Sequence, residues 1–215
     1  MEIDKIENST CNVLSSGSHG NCEIYFGSVA IDMGVPFTTI KQYVKDLQLV
    51  LLSHEHLDHF NISTIKKLSF ERPTLRFGCG KWMLPLLSEI KNVDVYDLNK
   101  WYDYGSFKLS IGKLYHDKEN CFFRLDKNGY KIFRATDTTH MKGITAKNYS
   151  LYAIESNYDE DTVYDIIRAK QERGEYAHQL GSINSHLSWQ QAQQFIFENA
   201  GENYQVLRLH ESKTL

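Results

Sequence analysis

Ser53-His54-Glu55-His56-Leu57-Asp58-His59 follows directly on the apolar run Leu49-Val50-Leu51-Leu52. His54, His56, Asp58 and His59 put three imidazoles and a carboxylate within six positions. One open catalytic zinc uses three protein ligands and a water, so this density implies two metals side by side. The strand-then-loop setting matters as much as the residue types, because ligands on a loop at a strand end converge while the strand holds them rigid. A solvated His-rich tract would give no reason for the apolar strand in front of it.

Working outward from 49–52, Ile40, Tyr43, Val44 and Leu47 fall at i, i+3, i+4 and i+7, which predicts an amphipathic helix from Thr39 feeding that strand. On the N-terminal side, 12–14, 23–26 and 29–31 alternate as strands, with Gly17-Ser18-His19-Gly20-Asn21 as a turn. Beyond the His-rich loop, Ile62, Ile65 and Leu68 mark a second helix. Residues 74–77 read as a strand and 81–90 as a third helix, with Pro85 placed in its first turn. Between 93 and 137 the reading is mostly strand, a second sheet with a Lys127-Asn128-Gly129 hairpin turn. The last third holds a strand at 151–154, a helix carrying Val163, Ile166 and Ile167, and a helix carrying Trp189, Ala192, Phe195 and Ile196. Ser188 and Gln191 have capping-box spacing, Gly201 closes that last helix, and a strand over 204–209 ends at His210. Strands in both halves with helices around them predict an α/β chain, a four-layer αββα sandwich of two mixed sheets.

The chain's 215 residues, 41% hydrophobic and 24% charged, fit one domain over 1–215 with a sizeable core. A formal net charge of -3 gives no general attraction to long nucleic acid or anionic membranes. Cys11, Cys22, Cys79 and Cys121 form no CxxC pair, which points to reduced thiols in a cytoplasmic setting. The first residues are too charged for a signal peptide, and no apolar run reaches the length of a membrane span, so no membrane partner is expected.

Five apolar or strand-like runs end in a polar, metal-competent residue: Asp32, His54, His116, Asp137 and His210. One such ending is ordinarily structural. Five beside a four-residue cluster exceed what packing requires, and ligands in open α/β arrangements collect beyond the carboxyl ends of strands.

The H-x-H-x-D-H pattern of His54, His56, Asp58 and His59, with these strand ends in order, resembles the metallo-β-lactamase superfamily of binuclear hydrolases, from about Cys11 to His210. The resemblance implies that His54, His56 and His116 hold one metal, that Asp58, His59 and His210 hold the other, and that Asp137 bridges them. It implies too that Asp32 supports the loop from behind. A bridging Asp137 and the paired Asp58-His59 are unlike true β-lactamases and resemble phosphodiesterase, thioesterase or lactonase members. Three stretches are similar to the ribonuclease Z and YycJ-like branch: Ser16-Gly17-Ser18-His19-Gly20-Asn21-Cys22, Glu155-Ser156-Asn157 and Ser185-His186-Leu187-Ser188. With only twenty residues between His116 and Asp137, the chain departs from ribonuclease Z in having no glycine-and-basic insertion for a tRNA-gripping arm.

Two divalent metals are the cofactor expected, zinc first, with manganese or iron also fitting such ligands; a hydroxide bridging them, oriented by Asp58, attacks a phosphodiester in line. His186 then bonds a phosphate oxygen or protonates the departing alkoxide, the alternative being a helix-start histidine bonded to backbone. Glu155 either fixes the ring of a histidine such as His186 or is a plain surface residue. His19 reads as a solvated turn residue and His178 as surface, while His140 either touches substrate or sits in a turn beside the site. Lys66 and Lys67 read as a solvated helix face; Lys81 and Arg173 reach phosphate only if folding brings them to the metals.

These readings favour a phosphodiesterase acting on a nucleotide or short single-stranded nucleic-acid substrate, a nuclease or cyclic-nucleotide phosphodiesterase. The enzymatic alternative is a thioester, lactone or carboxylic-ester hydrolase on the same metals. A metal-stabilised binding module is opposed because a closed structural site normally uses cysteines. Relatives are often homodimers, and Trp101, Tyr102 and Tyr104 serve either such an interface or the core.

Overall fold

The computed structural model describes residues 10–177 and 179–211. His178 and the charged first residues lie outside them. The chain divides into two compact units, Met1–Tyr102 with Ser110–Gly112, and Asp103–Leu109 with Lys113–Leu215.

The first unit holds a six-stranded mixed sheet in sequence order: β1 (Cys11–Ser15), β2 (Cys22–Tyr25), β3 (Val29–Ile31), β4 (Leu49–Leu52), β5 (Arg76–Gly80) and β6 (Val93–Tyr96). β1 to β3 meander antiparallel, and β3 to β6 run parallel. The parallel strands read as continuous apolar runs because both faces are covered: every residue of β3 and β4 is buried. Helix α1 (Phe37–Ile40) and helix α2 (Ile62–Glu71) belong to this unit. Asn61 caps α2, its side chain accepting from Thr64 N.

The helix predicted from Thr39 through Leu47 is only α1 followed by a 3-10 turn, Lys41–Tyr43. Ile40, Val44 and Leu47 are nevertheless buried and Tyr43 partly so, and the Arg72 guanidinium donates to the Val44 and Lys45 carbonyls at 2.7 Å, satisfying them where the helical turns end. The helix at 81–90 is a 3-10 helix, Lys81–Leu87, with Pro85 inside it rather than in its first turn; proline has no N–H for an α-helical bond. The strand expected at 74–77 begins later, at Arg76.

The second sheet has the order β12-β11-β10-β9-β8-β7, built from β7 (Trp101–Asp103), β8 (Lys108–Tyr115), β9 (Glu119–Lys127), β10 (Tyr130–Ala135), β11 (Leu151–Glu155) and β12 (Gln205–Leu209). It too is mixed: β9 and β10 form an antiparallel hairpin, whereas β10, β11 and β12 are parallel. Asn128 and Gly129 turn that hairpin with φ of 54° and 85°, the left-handed pair of a two-residue turn. Phe122, Phe133, Tyr149, Tyr152 and Phe195 form the heart of this unit's core.

Helices α3 (Glu160–Glu172), α4 (Gln179–Ser185) and α5 (Trp189–Asn199) complete the second unit; α4 has no counterpart in the sequence reading. Ser188 and Gln191 form the reciprocal capping box at the start of α5. Ala200, in an extended conformation, ends α5 instead of Gly201. Among the described residues no helix is long and apolar enough to cross a membrane. The chain is therefore α/β, two mixed sheets with helices.

Candidate metal centre

In the first unit the parallel register pairs Ile31 with Leu51, so Asp32 and His54 leave the carboxyl ends of neighbouring strands. Asp32 takes a left-handed φ of 58°, a conformation uncommon outside glycine, and this turns its side chain off the strand direction. Asp32 Oδ2 lies 2.7 Å from His59 Nδ1. Asp32 Oδ1 accepts from Ser53 N at 2.9 Å and from the Ser53 hydroxyl at 2.7 Å, and that hydroxyl lies 2.9 Å from His54 Nδ1. All four residues are fully buried. A consistent proton assignment has both imidazoles donating from Nδ1, which leaves Nε2 of each as the ligand atom; a carboxylate behind a histidine in this way is the usual support of a metal-binding ring.

The His54 ring centroid is 4.8 Å from that of His56 and 4.3 Å from that of His59. Asp58 Oδ2 lies 3.5 Å from His59 Nε2. Gly34 permits this arrangement, since a Cβ there would stand 1.8 Å from the Asp58 carbonyl oxygen. Asn21, with no role assigned from sequence, donates from Nδ2 to the Asp58 carbonyl at 3.2 Å, and the same nitrogen is 2.8 Å from His59 Nε2. Its place in a glycine-rich turn, within the 16–22 stretch similar to the ribonuclease Z branch, was the signal for it.

In the second unit the parallel register of β10, β11 and β12 pairs Ala135 with Ile154 and Glu155 with Leu209. Asp137, Glu155 and His210 thus emerge at the carboxyl ends of three adjacent strands. Asp137 and His210 have φ of 59° and 53°. Buried Asn120, missed from sequence, fixes the first turn by donating to the Thr136 and Asp137 carbonyls at 3.0 and 2.7 Å. Asn157 does the same for the other, donating to the His210 carbonyl at 3.1 Å.

Asp137, Glu155, His186 and His210 each offer a ligand atom within 4.8 Å of the other three. Asp137 Oδ1 is 3.6 Å from both His186 Nδ1 and His210 Nε2. Glu155 is fully buried; its Oε1 accepts from His186 Nδ1 at 2.5 Å, and its Oε2 accepts from the Thr138 and Leu187 backbones at 3.2 Å. Burial works to raise the Glu155 carboxyl's pKa, but hydrogen bonds from His186 and His210 outweigh it and leave the pKa lowered. For His186, burial works downward, and the bond and charge of Glu155 outweigh it to raise the imidazole. Both shifts favour the charged forms, a carboxylate beside an imidazolium. His116, at the end of β8, has its Nε2 3.1 Å from Asp117 Oδ1 and its ring 5.4 Å from that of His186.

Other sequence candidates lie elsewhere in their units. Lys66 pairs with Glu89 at 2.7 Å, Lys67 sits over the Phe37 ring, and Arg173 pairs with Glu175 at 3.0 Å. Tyr102 packs on Tyr96 and Tyr104 on Phe107, while Trp101 is 48% exposed.

No family model matches the chain. A cytidine monophosphate-N-acetylneuraminic acid hydroxylase from Xenopus laevis is 26% identical over 105 residues, 44% of this chain; the match spans 18% of that relative's length. Among solved structures, the metallo-β-lactamase fold protein YhfI from Bacillus subtilis superposes with a TM-score of 0.73 at 16% identity, covering 95% of this chain and 86% of its own. The short form of human tRNase Z, ELAC1, gives 0.64 at 15% identity, with 94% and 92% covered. These likenesses show that the chain has the metallo-β-lactamase fold.

Proposed function

We propose that this chain is a binuclear metal-dependent hydrolase, a phosphodiesterase for a small or single-stranded nucleotide substrate. The observation that carries the reading is the Asp32 carboxylate, which presents Nε2 of both His54 and His59 as ligand atoms. In this reading His54, His56 and His116 hold one cation, Asp58, His59 and His210 the other, with Asp137 between them. A set of imidazoles and carboxylates without thiolate fits zinc, manganese or iron. Two such cations when bound supply an activated water and the positive charge that neutralises phosphate oxygens.

The chain's own residues do the remainder. Asp58 orients the attacking water. His186, kept protonated by Glu155, bonds a phosphate oxygen and gives its proton to the departing alkoxide. The likeness to a tRNase Z supports phosphodiester chemistry, and the short segment between His116 and Asp137 favours a compact substrate. Action in the cytoplasm and a homodimer using Trp101 belong to the same proposal.

The test is to load purified protein with zinc or manganese and offer bis(p-nitrophenyl) phosphate, cyclic nucleotides, a thioester and a lactone. Phosphodiester turnover is expected. Its absence with either metal, beside turnover of the thioester or lactone, would select the other ester chemistry instead.

A further inference from the structure

Tyr115 and His140 lie in the second unit, one residue before His116 and three after Asp137, and their rings meet at a centroid distance of 4.2 Å with planes 35° apart. The pair stays open to water: Tyr115 is 38% exposed and His140 is exposed. An aromatic pair at the surface gains little from burial, yet this one is held firmly. Thr139 N donates to the Tyr115 carbonyl at 2.7 Å, and Tyr115 N donates to the Thr138 hydroxyl at 3.1 Å. That hydroxyl donates to the His140 carbonyl at 3.0 Å, and Lys142 N donates to His140 Nδ1 at 3.3 Å, which fixes the imidazole plane.

One cation lies against the stack and a second is close in sequence. Lys113 Nζ is 5.8 Å from the centre of the Tyr115 ring, and Lys142 is exposed two residues beyond His140. Asp117, exposed beside His116, is the nearby opposite charge. Pre-set aromatic faces next to ammonium groups match one ligand chemistry well: a flat base carrying a phosphate.

Resting on the phosphodiesterase reading, we propose that the Tyr115–His140 stack is the platform on which the substrate's nucleobase lies, with Lys113 and Lys142 attracting its phosphates. The platform determines specificity and takes no part in bond breaking. It selects nucleoside esters over simple alkyl esters of the same phosphate, and it tolerates different bases because every base has a π face.

The test compares the p-nitrophenyl ester of thymidine 5'-phosphate with methyl p-nitrophenyl phosphate, which share a leaving group and differ in the nucleoside. In Tyr115→Ala and in His140→Ala the ratio of kcat/KM for the first over the second is expected to fall about tenfold, through KM, on the scale of one lost base stack. Tyr115→Phe keeps the ratio. An unchanged ratio in both alanine variants, or a Tyr115→Phe loss as large as that of Tyr115→Ala, overturns the platform. Equilibrium dialysis of thymidine 5'-monophosphate against the full chain tests it independently of turnover: binding weakened about tenfold by Tyr115→Ala is expected, and wild-type protein that fails to bind the nucleotide overturns it. Protein that binds thymidine 5'-monophosphate but hydrolyses neither ester would count against the phosphodiesterase reading and leave the platform standing.

Discussion

Asp32 Oδ2 lies 2.7 Å from His59 Nδ1, and through the Ser53 hydroxyl the same carboxylate reaches His54 Nδ1. One buried side chain thus fixes the tautomer of two imidazoles. In Asp32→Asn the amide keeps an acceptor for Ser53 but turns a donor toward His59 Nδ1, which forces the proton onto Nε2, the atom a metal needs. Zinc affinity is expected to fall by about 10- to 100-fold, the usual scale for such support. Competition with a chromophoric chelator reads it; equal affinity in the two proteins would count against the tautomer argument.

Gly34 makes a second, steric prediction. Its Cβ would stand 1.8 Å from the Asp58 carbonyl oxygen and 2.9 Å from His59 N, both backbone atoms that cannot swing away. Gly34→Ala is expected to cost about 1–3 kcal/mol, an overpacking penalty, and to weaken zinc binding by displacing the 58–59 loop. Gly181→Ala, in α4 with open space around its Cβ, is the control and leaves the melting temperature unchanged or raises it. Equal melting temperatures for wild type and Gly34→Ala would contradict the close approach.

The Glu155–His186 pair separates two roles for His186. As a proton donor, its replacement by alanine lowers kcat by about 10²- to 10⁴-fold and leaves the metal content intact. Metal analysis of His186→Ala alongside its kinetics decides between them: loss of a metal ion would place His186 among the ligands, as its membership of the four-residue donor cluster allows.

Cys79, buried on β5, carries a prediction about alkaline stability. Burial first, and then the nearby Asp94 charge, raise its thiol from the ordinary 9.0 to about 12. Below about pH 9 the thiol is protonated folded and unfolded alike. Between there and pH 12 only the unfolded chain releases the proton, so this contribution to stability is lost as pH rises. Urea unfolding at pH 8 and pH 10.5 is expected to show a smaller alkaline loss in Cys79→Ala than in wild type. Identical losses would mean that the thiol ionises as readily in the fold as outside it.

The strand ends were legible because they combine two constraints, an apolar run that only a buried strand needs and a polar residue that packing there does not. Asp32, Asp137 and His210 all turn off their strands with left-handed backbone, a detail that no pattern of residue types announces. Periodicity misled at 40–47, where apolar spacing suits an α-helix and a short 3-10 turn equally well. It was silent at α4, whose Gln-Leu-Gly-Ser-Ile-Asn-Ser sequence has weak helix propensity and buries only Gln179. The roles of Asn21, Asn120 and Asn157 stayed hidden for a different reason, although Asn21 and Asn157 stand in family-like stretches: each acts on a carbonyl distant in sequence, and an asparagine looks the same in any turn.

The central claim is that His54, His56, Asp58, His59, His116, Asp137 and His210 together hold a pair of divalent cations. Mass-spectrometric metal analysis of zinc-loaded, desalted protein tests it most directly, in wild type and in His54→Ala, Asp137→Asn and His210→Ala. About two zinc ions per chain are expected in the wild type, as in binuclear hydrolytic sites, with a lower ratio in each variant. A wild-type ratio of about one or less, or a ratio untouched by replacements in both units, would contradict it.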